Sequence, residues 1–220
     1  MVGPRRVMAV LEALEAAYGR PTIARRRPPL DELILTILSQ NTSDTNRDRA
    51  WRSLRRAFPS WEAVRKAPRA RIKAAIRAGG LARIKSRVIR ELLRSVHAQL
   101  GGLDLAFLCS LPKDEASAWL RQFRGVGDKT AACVLLFSCA LPVFPVDTHI
   151  HRITRRLGWI RRDATAAEAH RVLAGMIPPD RCLTAHVNFI TLGRQVCRPQ
   201  RPRCTSCPLR RRCPHAAAAI

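Results

Sequence analysis

Four cysteines stand within seventeen residues near the C-terminus: Cys197, Cys204, Cys207 and Cys213, separated by six, two and five residues. Four thiolates on so short a stretch can close on one metal centre, and that closure dictates the local fold. A tetrahedral zinc site usually pairs two Cys-x2-Cys knuckles across a longer insert. Here there is one knuckle, Cys204 to Cys207, flanked unequally by the outer cysteines. That asymmetric loop suits a 4Fe–4S cube, whose corners accept ligands from a single irregular turn. Zinc stays open on ligand softness, and unrelated or disulfide-bonded cysteines are the plain alternative.

The other four cysteines, Cys109, Cys133, Cys139 and Cys182, lie in apolar helical patterns and read as small core residues rather than disulfide partners. A cluster-binding thiolate set points to a reducing compartment. No apolar run approaches the roughly eighteen residues that a membrane span requires. The opening Met1-Val-Gly-Pro-Arg-Arg leads into an amphipathic segment bearing Glu12 and Glu15, not a signal peptide. The expectation is a cytoplasmic, nucleoid-associated monomer with no membrane partner.

Forty Lys and Arg face sixteen Asp and Glu, a formal net charge of +24 over 220 residues. Only five of those cations are lysine: Lys66, Lys73, Lys85, Lys113 and Lys129. Genomic base bias accounts for arginine over lysine but not for the shortage of acids. A field of this sign fits a polyanion, above all nucleic acid.

Helical periodicity runs through nearly every segment. Val7, Val10, Leu11, Leu14 and Tyr18 form one stripe, and Leu30, Leu33, Ile34, Ile37 and Leu38 a second. Others occur at Trp51, Leu54 and Phe58, at Ile72 and Ile76, at Ile84, Val88, Leu92, Val96 and Leu100, and at Ile150, Ile153 and Leu157. Ser60 caps before Trp61, Thr165 with Glu168 forms a capping box, and Gly101-Gly102 is a stop. No strand alternation competes. The prediction is an all-α chain of about ten short helices. Arg25-Arg26-Arg27-Pro28-Pro29 and Leu141-Pro142-Val143-Phe144-Pro145 break the helical run and mark domain crossings. Residues 1–25 and 142–215 then form one domain, with 26–141 inserted, and 216–220 is a frayed tail.

Two segments carry chemistry. In Phe123-Arg124-Gly125-Val-Gly127-Asp-Lys129, two glycines permit a tight turn with close backbone approach to a ligand. The next helix presents unpaired N–H groups, which suit phosphate. An ordinary helix–helix turn is the bland reading; the basic all-α context favours a DNA backbone site. Lys129 falls in the first turn of that helix, where a cation is disfavoured and the free amine of a Schiff-base nucleophile is favoured. The plain alternative is a solvated surface lysine. Eighteen positions on, Asp147 of Val146-Asp147-Thr148-His149 opens the next helix as an N-cap. The same carboxylate could take a proton from the lysine or stabilise charge developing on a sugar. Between Cys197 and Cys204, two prolines and the metal anchors restrict a loop that holds Arg201 and Arg203 out toward phosphate, with a solvated basic loop as the plain alternative.

Taken together, the glycine hairpin, Val146-Asp147-Thr-His149 and the cysteine loop resemble the endonuclease III family of helix-hairpin-helix DNA glycosylases, over roughly residues 25–215. The resemblance implies a six-helix barrel domain and an iron–sulfur domain built from both termini, with DNA across the cleft. It makes Lys129 the nucleophile at the sugar C1′ and Asp147 the catalytic aspartate, acting on a nucleotide flipped from double-stranded DNA bearing a damaged base or abasic site. Presence of the lysine implies lyase as well as glycosylase activity. It also implies DNA contacts at Gly125, Gly127 and His149. The chain departs from the family at Phe123-Arg124, where Leu-Pro is common; Arg124 could meet phosphate.

In Ser39-Gln40-Asn41-Thr42-Ser43-Asp44 the gap-filling position falls on Asn41 by alignment and on Gln40 by residue type. Leu81, after Gly79-Gly80, resembles a leucine that wedges into the duplex; a core leucine is the alternative. Ser39–Asp44, Gly102–Leu105 and Phe144–Asp147 also resemble plant 5-methylcytosine glycosylases. The expected substrate is an oxidised pyrimidine. A mismatched or methylated pyrimidine, or a silent DNA-binding module, are the rivals.

Overall fold

The computed structural model describes residues 2–217. Among them there is no strand, and twelve α-helices succeed one another: α1 Pro4–Tyr18, α2 Pro29–Ser39, α3 Asp44–Ala57, α4 Trp61–Lys66, α5 Arg69–Ala75, α6 Ala82–Leu100, α7 Lys113–Arg121, α8 Asp128–Cys139, α9 Thr148–Arg156, α10 Ala166–Ala174, α11 Cys182–Gln195 and α12 Pro214–Ala217. That is more than periodicity predicts, because α4 and α12, of six and four residues, are too short to show a period. No described helix is long and apolar enough to cross a membrane. The chain divides into two compact units, Arg26–Leu141 and Met1–Arg25 with Pro142–Ile220.

The unit Arg26–Leu141 is organised around α2 and α8, which pack along each other. Pro29 stands in the first turn of α2 with Asp31 and Glu32, so the fixed φ of proline and the helix dipole both favour a start there. Leu33, Ile34, Ile37 and Leu38 of α2 and Ala131, Val134 and Leu135 of α8 are completely buried. Each large aliphatic side chain contributes about 1.5–3 kcal/mol relative to an exposed one. Ser43 and Ser60 cap α3 and α4 through their hydroxyls, at 3.3 Å to the Asn46 amide and 3.1 Å to the Ala63 amide. Gly101, at φ 69°, ends α6 in the left-handed conformation.

Cys109 and Cys139 correct an expectation, for they form a disulfide across a Cα–Cα distance of 4.7 Å. Cys109 is exposed in the 3-10 turn Ala106–Ser110, and Cys139 is the last residue of α8, which that turn packs against. Thirty residues separate them, and no local pattern signals that the two elements meet. Cys133 and Cys182 are core residues, 3% exposed each.

In the other unit, α1 packs on α11 through Val7, Val10, Leu11 and Leu14. Asn188 donates from α11 to the oxygen of Gly19 at 3.0 Å, and Arg181 pairs with Glu15. Burial works against the Glu15 carboxylate, but Arg181 and Arg20 outweigh it and hold the group below the usual carboxylate range. Phe189 of α11 meets Phe144 and Trp159 edge-on. Thr165 and Glu168 complete the predicted capping box of α10. The tail does not fray at Ala216, which is buried within α12; residues 218–220 lie outside the described residues.

Candidate functional site

The hairpin joins α7 to α8. Phe123 and Val126, each 5% exposed, are its inward anchors, and the Val126 amide bonds the Phe123 oxygen at 3.1 Å. The outward positions are Arg124, Gly125 and Gly127. The two glycines have different reasons to be glycine. Gly125 sits at φ 85°, and a Cβ there would lie 2.7 Å from Cγ1 of Val88. Gly127 has φ −96°, open to any residue, and a Cβ there would meet nothing within 4 Å. Nothing inside the unit therefore requires a glycine at 127, and its exposed backbone is open to close approach from outside. Gly127 is the N-cap of α8 and supplies no side-chain cap to the amides of the first turn.

Lys129 is half-buried in that first turn. Glu32, which sequence reading missed, lies within electrostatic reach of it. Burial pushes the Glu32 carboxyl above the usual range, while Arg27, Arg47 and Lys129 pull it back; Arg27 is 3.5 Å away. An acid in the first turn of a helix, here beside Asp31, reads as a dipole partner, and the burial of Glu32 shows only in the packed unit.

Gln40 and Asn41 part company. The Gln40 side chain donates from Nε2 to the Gly125 oxygen at 3.3 Å, with the Thr130 hydroxyl at 3.5 Å. Asn41 is exposed, with its backbone left-handed at φ 50°. Leu81 is 47% exposed and also left-handed, at φ 48°, so it is not a core leucine.

In the second unit, Asp147 accepts from the Ile150 amide at 2.8 Å and caps α9. Buried Phe144, Pro145 and Val146 anchor the approach to it, with the Pro145 oxygen 2.9 Å from His186 Nδ1. His149 has Nδ1 3.1 Å from the Arg152 guanidinium, so one ring nitrogen is engaged inside the unit. Its ring also packs on Gly193, where a Cβ would come within 2.7 Å.

The four C-terminal cysteines form no disulfide and are each partly exposed. Burial pushes the Cys207 thiol up, and the charges of Cys197, Cys213 and Cys204 add to the shift, so all four stand within electrostatic reach. Among the described residues no three Cys, His, Asp or Glu side chains converge on a single-ion position. Arg156 reaches Cys197 Sγ at 3.1 Å and the oxygens of Arg198 and Pro199 at 2.8 and 2.9 Å. Arg152 donates to the Cys197 oxygen at 2.8 Å. Cations at the thiolate end are what an anionic sulfur centre needs, and the donor set fits a 4Fe–4S cluster. Arg201, exposed at φ 47°, and Arg203, exposed with its amide on the Val196 oxygen, lie in the loop between the first two cysteines.

The family described as HhH-GPD superfamily base excision DNA repair protein matches residues 34–179. Endonuclease III of Thermotoga maritima is 32% identical over 204 residues, covering 91% of this chain and 90% of that protein. A candidate DNA glycosylase of Arabidopsis thaliana is 40% identical over 151 residues, 69% of this chain; the match spans about half of the plant protein, 52% of its length. Among solved structures, a trapped endonuclease III–DNA covalent intermediate superposes with a TM-score of 0.86 at 27% identity, covering 100% of this chain and 99% of that one.

Proposed function

Because the chain belongs to the HhH-GPD superfamily of base excision DNA repair proteins, we propose that it is a DNA glycosylase of the endonuclease III type, with AP lyase activity, acting on oxidised pyrimidines in duplex DNA. The observation that carries this reading is Lys129, a half-buried lysine in the first turn of α8, directly behind an open glycine turn. A purely gripping module has no use for a nucleophile at that point.

In this mechanism the Gly125–Gly127 turn and the α8 amides hold the strand's phosphate, with Arg124 beside them. Asn41 and Leu81 enter the space left when the target nucleotide flips out. Asp147 stabilises the positive charge that develops on the sugar as the C1′–N bond breaks. The amine nitrogen of Lys129 forms a bond to C1′ and the base departs, taking the bonding pair and the proton that the nitrogen gives up. Opening of the sugar ring gives the Schiff base. Loss of a proton from C2′ and rupture of the C3′–O bond then nick the strand by β-elimination.

Cys197, Cys204, Cys207 and Cys213 would hold the 4Fe–4S cluster, which bound there would serve as a tether that fixes the intervening loop. Arg201 and Arg203 on that loop supply further phosphate contacts.

Borohydride trapping on a duplex with one abasic site tests the reading. The expected result is a covalent adduct with the wild type and none with folded Lys129→Ala. Undiminished trapping by that variant overturns the role of Lys129. A panel of duplexes, each with one oxidised, mismatched or methylated pyrimidine, decides the base; excision of none leaves a silent DNA-binding module.

A further inference from the structure

Lys85 is 2% exposed and stands among the largest fully buried side chains of the described residues. Its ammonium donates to two main-chain oxygens, Leu38 at 2.7 Å and Gly79 at 2.8 Å. Leu38 is in the last turn of α2, and Gly79 ends the 3-10 turn Arg77–Gly79. Both are carbonyls at helix ends, where no amide further along the helix is available to them. A buried ammonium is expensive to desolvate, and burial lowers its proton affinity. Carbonyl dipoles answer that penalty only partly, so a lysine is an unusual choice for mere filling.

The segments just beyond these two carbonyls explain the choice. Three residues beyond Leu38 is Asn41, left-handed at φ 50° and exposed. Directly beyond Gly79 come Gly80 at φ 66° and Leu81 at φ 48°. A left-handed non-glycine residue costs about 1–2 kcal/mol and persists only where its surroundings over-determine it. Asn41 and Leu81 are two of the four such residues among those described. Lys85 also stands one helical turn after Leu81, with its own amide on the Leu81 oxygen at 2.9 Å. One side chain thus holds the roots of both loops.

We propose that Lys85 is a positioning residue whose buried ammonium locks the Asn41 and Leu81 loops in a common register, so that both enter the duplex together when a nucleotide is flipped. The inference rests on the proposed function, in which those loops enter DNA. It predicts coupling between base unstacking and a side chain that does not reach the DNA.

The probe is a duplex with 2-aminopurine opposite a stable tetrahydrofuran abasic analogue, whose fluorescence rises when the purine unstacks. With wild-type protein at saturation the signal should rise. Lys85→Met, which keeps the volume and removes the donors, should lower that rise by about three- to tenfold. Its affinity for undamaged duplex and its circular dichroism should match the wild type. Leu81→Ala should lower the rise by itself, and Lys85→Met added to it should cause little further loss. If Leu81→Ala leaves the signal intact, the loops do not enter DNA, and this inference falls with that reading. If Leu81→Ala lowers the signal and folded Lys85→Met does not, Lys85 is a structural residue only and the inference alone is overturned. Should methionine not fold, Lys85→Gln, with two N–H donors on a shorter arm, is read by the same two outcomes.

Discussion

The side-chain amide of Gln40 donates to the main-chain oxygen of Gly125, 3.3 Å away, tying the end of α2 to the hairpin before α8. That bond assigns different work to two neighbours that sequence reading leaves as alternatives. Gln40 braces the glycine turn, and Asn41 is the one presented outward. Gln40→Ala should cost about 1 kcal/mol of stability in urea denaturation. Asn41→Gly, which suits the left-handed backbone, should hold stability and weaken binding to abasic duplex relative to intact duplex. Equal losses of discrimination in both variants would show that Gln40 also reaches the DNA.

Gly125 and Gly127 should separate in the same way. Gly125→Ala forces an unfavourable φ and a clash with the stiff Val88 side chain, so a loss of about 1–3 kcal/mol is expected. Gly127→Ala meets nothing in the unit and should leave the unfolding midpoint unchanged while weakening DNA affinity. Intact affinity in Gly127→Ala would remove the turn from the DNA interface.

Asp147→Asn tests whether the cap is also a catalyst. Asparagine caps about as well as aspartate, so the bond to Ile150 and the stability should survive. The single-turnover excision rate should fall by about a hundredfold or more. A near-normal rate would leave Asp147 as a cap alone.

Arg156 touches Cys197 Sγ and two oxygens of the adjoining loop. Purified protein should be brown, with about four iron and four sulfide per chain. Arg156→Ala should release iron to a chelator about tenfold faster, and Cys204→Ser should lose it altogether. Stoichiometric zinc without iron, from anaerobic and iron-replete expression, would overturn the cluster.

Glu32 gives a pH dependence of known sign. Burial raises its carboxyl above the ordinary 4.5, despite Arg27, Arg47 and Lys129. The folded chain therefore binds this proton more tightly than the unfolded chain. Its contribution to stability is complete below the unfolded value and is lost as pH rises through the raised one. Across that window wild-type stability should fall relative to Glu32→Gln, measured by denaturation at successive pH values. A difference that does not vary with pH would mean that Glu32 titrates alike in both states.

Much of the fold is legible in the residues because helices are local. The stripe Leu33, Ile34, Ile37 and Leu38 lies on neighbouring turns, and all four are fully buried. The caps at Ser60, Asp147 and Thr165 bond amides three residues on, so each is visible from spacing alone. The glycine turn, the lysine behind it and the cysteine loop are equally local, and their chemistry comes from residue type. What spacing does not carry is which faces meet. Cys109 reads as core until the turn bearing it packs against α8, where Cys139 waits. Gln40 and Asn41 are interchangeable until Gly125, 85 residues away, engages one of them. Lys85 reads as one more cation on a basic helix, yet Leu38, 47 residues earlier, supplies an acceptor that makes it an internal strut. Periodicity sets which residues turn inward; only the relative rotation and depth of packed helices decides which inward atoms come within hydrogen-bonding distance.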